Sequence, residues 1–448
     1  MTGDGRPVAD DDPAVVVERA VQSRAAELRI DVGSSEGRAA LRELVDDEVR
    51  RWDESQRRQG GAGIVGDPGR LAGQVFGNVA GYGPLAALLE DDDVWEIMIN
   101  APTAVFAKRH SGSSGYHHEV FHDDAHVERI LTKLLDDSST SHRKLDPAEG
   151  LQDAVLDDGS RLHIVHPDLS RGGHLIVNIR KFTGMPVGRL EELVTRGSLS
   201  AGAASLLGAA VRARSTVLVA GAPGSGKTTL LSCCTAEIDP SLRVVVAEEV
   251  FEADVQAPNT ASMQTRPDRP DRPGVDLRRL VAGFLRMAPD VAIVGEVRDR
   301  EALPLLLTLS SGVTGYTTIH AGSARQALTR LRFLAQLSEA ARHLPLPALN
   351  ALVADAVDLV VHTERSAHGP RVTSVLAVED QVAGAESVAF TCTEVFARIG
   401  GSLEWTGLHP TRLADRLGRH GVDLHALVSG AGAPGDVRAA RLDPERAS

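Results

Sequence analysis

One stretch constrains the fold of this chain more than any other: GAPGSGKTT, from Gly221 to Thr229. An apolar run from Thr216 to Ala220 precedes it, and two leucines follow it. The stretch matches the pattern G-x-x-x-x-G-K-[ST] between a buried strand and the start of a helix, which is the context of a phosphate-binding P-loop. Its glycines let backbone N–H groups turn inward toward a phosphate, and the positive end of the helix adds to the attraction. The predicted nucleotide site consists of Gly221, Ala222, Pro223, Gly224, Ser225, Gly226, Lys227, Thr228 and Thr229.

Two side chains of this loop have defined chemical roles. We expect Lys227 to reach the β- and γ-phosphates of the nucleotide, and the hydroxyl of Thr228 to ligate Mg²⁺. The expected cofactors are therefore ATP and Mg²⁺.

Composition narrows the class of protein. The chain has 448 residues, of which 42% are hydrophobic, so it can build roughly two or three domains with apolar cores. A net charge of −13 is the wrong sign for a general nucleic-acid binder, although it leaves a local basic groove open. Three cysteines without a disulfide framework fit a reducing cytosol. The acidic N-terminus and the absence of an apolar run of about 18 residues favour a cytoplasmic protein that partners hold at a membrane.

The hydrophobic pattern divides the chain. Residues 14–59 have helical spacing, a glycine-rich stretch follows, and short strands mixed with helices begin near residue 70. From Leu199 buried strands alternate with helices, as in a parallel α/β sheet. The predicted segments are a disordered acidic lead (1–13), a helical extension with its linker (14–69), a smaller α+β N-terminal module (70–198), a P-loop α/β domain (199–380), a C-terminal appendage (381–430) and a disordered tail (431–448).

Individual elements follow from the same patterns. In the N-terminal module we expect a helix over 124–135 and strands over 95–100, 104–108, 161–166 and 174–181. In the P-loop domain we expect parallel strands over 216–220, 243–247, 291–295 and 316–319, helices over 274–287, 301–309 and 324–337, and a closing strand pair over 358–362 and 371–377. A strand over 387–398 and a helix over 410–417 are expected beyond it.

Nucleotide hydrolysis needs a carboxylate to orient water and cations to absorb charge on the transferring phosphoryl group. The carboxyl ends of parallel strands face the P-loop crevice, so side chains at those ends are the candidates. They are Glu248 and Glu249 after the second strand, Glu296 and Arg298 after the third, and His320 after the fourth. Spacing alone leaves open that the acids are solvated strand ends and that the histidine is structural.

Four ordered motifs carry a resemblance. GAPGSGKTTL, VVVAEEVFE, LRMAPDVAIVGEVRDREAL and TTIHAGSARQAL resemble the Walker A, Asp box, Walker B and His box of the type II/type IV secretion ATPase superfamily. More narrowly, the chain resembles the ATPases that power Flp or tight-adherence pilus assembly, over roughly residues 75–425. The resemblance implies a RecA-like P-loop ATPase domain, a homohexamer and inner-membrane platform proteins as partners, with no direct nucleic-acid binding.

The resemblance also implies residue roles. Glu248 would be the Asp-box acid, Glu296 the Walker B acid that orients water, and His320 the sensor of the γ-phosphate. Arg161 and Arg180 lie where the N-terminal module of such ATPases supplies arginines to the nucleotide, in cis or across the ring.

Four positions depart from the family pattern. Glu249 stands where Asp is usual, Gly322 and Ala324 replace Asn and Pro, and Lys181 replaces an Arg. None removes a known catalytic group. The departures leave open that the chain is a nucleotide-binding scaffold that hydrolyses little ATP. A further alternative is a DNA-conjugation motor of the type IV branch, which the negative net charge of the chain disfavours.

Two other features have ordinary interpretations that we favour. His117, His118, His122 and His126 cluster, and the last two have the i,i+4 spacing of zinc ligands, but no cysteine or fixed third ligand accompanies them. The Arg-Pro-Asp run over 266–274 is typical of a stiff solvated loop rather than a docking loop.

Overall fold

The computed structural model describes residues 12–59, 67–110, 112–138, 144–181, 187–266, 272–366, 369–380 and 389–428. The chain forms two compact units, Met1–Gly184 and Met185–Ser448. Among the described residues, no helix combines the length and the apolar character that crossing a membrane requires. Residues 1–11 of the predicted lead lie outside the described part, as do residues 60–66 and the whole predicted tail from residue 431.

The first unit begins with three helices, α1 (Pro13–Glu27), α2 (Ser35–Arg58) and α3 (Pro68–Ala80). The first two confirm the helical spacing of this region. Ser34 caps α2 by accepting a hydrogen bond from the N–H of Gly37. The third helix corrects the predicted linker over 60–69, because Asp67 caps a helix that begins at Pro68. Apolar residues of all three helices share one core.

The rest of this unit is an antiparallel sheet of six strands. They are β1 (Val94–Ala101), β2 (Ala104–Arg109), β3 (Gly115–Tyr116), β4 (Leu151–Val155), β5 (Arg161–Val165) and β6 (Ile176–Arg180), in the order β3-β2-β1-β6-β5-β4. Helices α4 (Ala86–Glu90) and α5 (Asp124–Asp136) accompany it, and α5 packs in the core of the sheet. The predicted strands over 95–100 and 104–108, which pair with each other, and the predicted helix over 124–135 are confirmed, whereas β3 and β4 were not predicted.

The second unit is built on a sheet of nine strands in the order β15-β14-β13-β12-β7-β11-β10-β8-β9. The six strands from β12 to β9 are parallel, and the other three extend the sheet in antiparallel fashion. The bounds are β7 (Val217–Gly221), β8 (Val244–Glu248), β9 (Thr260–Gln264), β10 (Val291–Val297), β11 (Thr314–Ile319), β12 (Leu359–Ser366), β13 (Gly369–Val378), β14 (Cys392–Ile399) and β15 (Ser402–Trp405). The predicted parallel strands are therefore confirmed, and β9 is an addition to them.

Helices cover both faces of this sheet. They are α6 (Leu190–Thr195), α7 (Ala201–Arg212), α8 (Lys227–Thr235), α9 (Leu277–Ala282), α10 (Ala302–Ser310), α11 (Ala324–Gln336), α12 (Leu346–Ala356), α13 (Thr411–Arg419) and α14 (Leu424–Val428). Alternate residues of β7 enter different cores, Val217 and Val219 on one face and Leu218 and Ala220 on the other. This doubly covered parallel sheet is the predicted P-loop α/β architecture.

Three predicted elements need correction. The helix expected over 274–287 is shorter, because α9 ends at Ala282 and a separate 3₁₀ turn, Phe284–Met287, follows Gly283. The strand expected over 387–398 is observed as β14, with residues 387 and 388 outside the described part. Residues 190–195, which the pattern placed in the N-terminal module, form α6, and its leucines pack in the core of the second unit.

Candidate nucleotide site at the ends of the parallel strands

The phosphate-binding loop joins β7 to α8. Gly226 immediately precedes α8 in the left-handed conformation, with φ of 85°. A Cβ at this position would lie 2.8 Å from the Cβ of Pro370. Both conditions exclude side chains, so glycine is required for the turn that starts the helix.

The lysine of the loop is positioned inside the site. Lys227 is only 7% exposed, and its Nζ donates to the carbonyl of Ala222 at 3.0 Å. The same Nζ lies 3.2 Å from Nδ1 of His320, at the end of β11. A buried ammonium group at the start of the helix that follows a P-loop is suited to bind phosphate oxygens.

Glu296, near the end of β10, is the acid that contacts His320. Its Oε1 lies 2.7 Å from Nε2 of His320, and its Oε2 accepts a hydrogen bond from Arg298 at 2.8 Å. Burial alone raises the pKa of Glu296, but the contacts with His320 and Arg298 outweigh burial and lower that pKa to about 2. Glu296 is therefore an ionised carboxylate at neutral pH.

Arg298 joins two acids from neighbouring strands. It donates to Glu249 at 2.6 Å as well as to Glu296. The contact with Glu296 is the main reason that the pKa of Arg298 is raised. The guanidinium group thus fixes the orientation of the Glu296 carboxylate.

Glu248, at the end of β8, contacts backbone N–H groups rather than the side chains around Glu296. It is 3% exposed, and its Oε1 accepts hydrogen bonds from the backbone N–H groups of Glu252 and Ala253 at 3.1 and 3.0 Å. A Cβ on the adjacent Gly295 would lie 2.8 Å from Cγ of Glu248. Gly295 therefore leaves the room that the side chain of Glu248 occupies.

The loop held by Glu248 delivers an acid that the sequence analysis missed. The hydroxyl of Thr228 donates to Oε2 of Glu252 at 3.4 Å. These two oxygens, one from the P-loop helix and one from the loop after β8, are hard ligands of the kind that Mg²⁺ prefers. The signal was present in the motif VVVAEEVFE, whose last residue is Glu252, but a loop after a strand gives no period from which to predict where a side chain points.

Two predicted arginines belong to the first unit. Arg161 and Arg180 are directly opposite each other on the paired strands β5 and β6. Their contact with nucleotide stays a prediction. The Arg-Pro-Asp loop is described only at its ends, where Arg266 and Val275 form an isolated β-bridge, and residues 267–271 lie outside the described part.

A P-loop followed by a helix, with a histidine and an ionised acid at the ends of neighbouring parallel strands, defines a P-loop nucleotide-binding protein. The chain belongs to the Type II/IV secretion system protein family, which matches residues 78–380. The resemblance to the secretion superfamily and the RecA-like fold that it implied are therefore confirmed.

Individual relatives agree with the family. The conjugal transfer protein TrbB of Rhizobium radiobacter is 31% identical over 303 residues, which cover 66% of this chain and 87% of the relative. A putative conjugal transfer protein of Mycobacterium tuberculosis is 30% identical over 315 residues, 68% of this chain and 86% of the relative. The crystal structure of the VirB11 ATPase from the Brucella suis type IV secretion system, in complex with sulphate, matches 65% of this chain and 94% of its own, with a TM-score of 0.34 and 27% identity. The assignment to the Flp or tight-adherence branch stays a prediction.

Proposed function

We propose that this chain is a Mg²⁺-dependent ATPase that works as a homohexamer and converts ATP hydrolysis into domain motion for pilus assembly or protein secretion. The observation that carries the proposal is the line of contacts from Glu296 through His320 to Lys227. It connects a carboxylate able to orient water with the ammonium group of a P-loop. Membership in a secretion family supports the biological direction.

The chemistry assigns each group a task. Glu296 stays ionised, so it can accept a hydrogen bond from the attacking water and aim its oxygen at the γ-phosphorus. Lys227 exchanges its contact with the Ala222 carbonyl for phosphate oxygens, which are stronger acceptors. His320 contacts both Lys227 and Glu296. A movement of Lys227 on phosphate binding or release is therefore transmitted to the Glu296 carboxylate through the imidazole of His320.

The residues present also fit a magnesium ion. When bound, Mg²⁺ neutralises charge on the β- and γ-phosphate oxygens. The Thr228 hydroxyl and the Glu252 carboxylate would hold it, directly or through water. Glu248 would not hold the ion itself. It fixes the backbone of the loop that carries Glu252.

We infer the protein partners from membership in the secretion family and not from the geometry of the nucleotide site. We place the protein in the cytoplasm, bound to inner-membrane platform proteins of a pilus or secretion apparatus. Arg161 and Arg180 would supply cations to the nucleotide from the N-terminal module during the ATPase cycle.

A conjugation motor is the second candidate, and the names of the relatives favour it. The net charge of −13 weighs against direct DNA binding. Binding to DNA at physiological salt, with an affinity that falls as salt rises, would support this candidate. Absence of such binding would favour the protein-secretion or pilus role.

The deciding experiment is ATP turnover of the purified full chain with Mg²⁺, over a concentration series sized in parallel by light scattering. The Lys227→Ala variant serves as the blank. We expect turnover that rises as a six-subunit ring forms. Nucleotide binding without turnover, at every concentration and with platform protein added, would overturn the ATPase proposal and favour a nucleotide-binding scaffold.

A further inference from the structure

A cluster of ligand groups lies in the first unit, apart from the nucleotide site. Glu18 of α1, His122 just before α5 and His126 on α5 each offer one ligand atom, and these atoms lie within 4.8 Å of one another. The i,i+4 spacing of the two histidines indicates no third ligand by itself. Glu18 supplies it from 104 residues upstream of His122.

The carboxylate of Glu18 is buried, with only 3% of the residue exposed. Its Oε1 accepts hydrogen bonds from Gln22 and Arg129. Its Oε2 accepts from Nε2 of His122 at 2.9 Å and from the amide of Asn78 at 2.8 Å. One oxygen is thus paired with the arginine, and the other faces the histidine ring.

His126 is 1% exposed and has an unused ring nitrogen. Its Nδ1 accepts a long contact, 3.3 Å, from the backbone N–H of His122. Its Nε2 has no hydrogen-bond partner within the described chain, and neither does Nδ1 of His122. A buried polar atom without a partner is costly and rare in folded proteins, so the free Nε2 of His126 indicates an absent ligand.

The space beside this nitrogen is kept open by a glycine. A Cβ on Gly83 would lie 3.3 Å from Nε2 of His126 and 2.9 Å from Oδ1 of Asn78. Gly83 also has a positive φ of 50°. A side chain at this position would crowd the free nitrogen.

We propose that Glu18, His122 and His126 bind a divalent transition-metal ion of the Zn²⁺ type. Two imidazoles and one carboxylate are a ligand set that zinc uses, and the pair of nitrogens disfavours Mg²⁺ and Ca²⁺, which take oxygen ligands. The cation takes the place of the proton between His122 and Glu18, and Arg129 keeps the other carboxylate oxygen.

The position of the ligands gives the metal a structural task. Glu18 belongs to the three-helix part of the first unit, whereas both histidines belong to the part built on the antiparallel sheet. A metal bound by all three joins the helical extension to the sheet. Without metal, the same joint depends on the Glu18–Arg129 ion pair and on the contacts of His122 with Glu18 and Asn78.

The test is Zn²⁺ binding by the untagged full chain after treatment with a chelator. We expect one high-affinity Zn²⁺ per chain by competition with a fluorescent zinc indicator. Glu18→Gln and His126→Asn should each weaken binding by more than about 100-fold, because each removes a direct ligand. His118→Ala is the matched control, since this neighbouring histidine is exposed and outside the cluster, and it should bind Zn²⁺ like the wild type.

Two further measurements use the wild-type protein, so their results do not depend on whether a variant folds. Co²⁺ bound to the wild type should give visible d–d absorption that Zn²⁺ displaces, and Zn²⁺ should slow hydrogen exchange of α1 amides. Absence of Zn²⁺ binding at micromolar concentration in the wild type would overturn the proposal and leave a metal-free polar network. Binding of equal affinity in the well-folded Glu18→Gln variant would also overturn it, because the metal would then lie elsewhere.

Discussion

Glu296 keeps its charge in surroundings that by themselves oppose it. Burial disfavours the carboxylate, whereas His320 and Arg298 stabilise it more strongly, and the pKa falls to about 2. The acid is therefore always available as an acceptor at neutral pH. Its value to catalysis rests on this charge and on its fixed direction.

The first prediction concerns Glu296→Gln. We expect turnover to fall by about 100- to 10,000-fold, because the amide cannot accept a proton or align water as the carboxylate does. Nucleotide affinity should change little, since the P-loop contacts are intact. Steady-state ATPase assays and binding of a fluorescent ATP analogue check this, with the exposed Glu339→Gln as control. Unchanged turnover would contradict the role given to Glu296.

The second prediction uses the same group to link stability with pH. The folded-state pKa of Glu296 is lower than its ordinary value of 4.5, so the ionised form stabilises the fold above pH 4.5. This contribution is lost as pH falls from 4.5 toward 2. The free-energy difference of unfolding between the wild type and Glu296→Gln should therefore shrink below pH 4.5, in urea titrations at several pH values. A difference that is constant across this range would argue against the ion-pair origin.

Sequence reasoning at the residue scale located strand ends correctly but not the partners of each side chain. Glu296 and His320 lie together as their positions suggested. Glu248 instead holds backbone N–H groups, and Glu252 reaches Thr228. Direction within a loop depends on contacts between distant segments, which no local spacing encodes.

At the element scale, the crowding between β10 and β8 gives the third prediction. Gly295→Ala would place a Cβ 2.8 Å from Cγ of Glu248, which two N–H groups hold in position. We expect the free energy of unfolding to fall by about 1–3 kcal/mol. Turnover should also fall, because displacement of Glu248 moves the loop that carries Glu252.

The matched control is Gly418→Ala on α13, where a Cβ meets no atom within 4 Å. That variant should be as stable as the wild type, or more stable by up to about 1 kcal/mol, because alanine favours helix. Urea unfolding and ATPase assays on both variants separate the two cases. Equal behaviour of the two would mean that Glu248 moves aside without cost.

Elements with a clear period were predictable, and short or irregular ones were not. The buried parallel strands stood out as apolar runs between turn signals. Strand β9 is only half-buried and lies at the sheet edge, so its sequence carries a weaker apolar signal. Helix α9 stops early at Gly283, although the apolar spacing continues through Met287.

At the scale of the whole molecule, the segment expected to be an appendage is integrated into the second unit. Strands β14 and β15 extend its sheet, and Leu413 and Leu417 of α13 lie in the same core as β7. Two arginines of α13, Arg412 and Arg416, pair at 2.9 and 3.0 Å with the buried Asp358, which also accepts from the N–H of Thr216. The start of the P-loop strand β7 is thus tied to α13. The domain boundary was predicted at residue 380 because the alternation of buried strands and helices ends there. A sequence pattern does not show that residues on either side of such a boundary are buried in the same core.

The last prediction follows from that shared core. Leu417→Ala removes a fully buried side chain and should lower the free energy of unfolding by about 2–5 kcal/mol. Because one core includes α13 and β7, hydrogen exchange should accelerate in Val217–Gly221 as much as in Cys392–Ile399. The exposed Leu408→Ala is the matched control and should leave both strands protected. If exchange rose only in β14 of the Leu417→Ala variant, the C-terminal segment would be an independent unit, and α13 would have no part in holding the nucleotide loop in place.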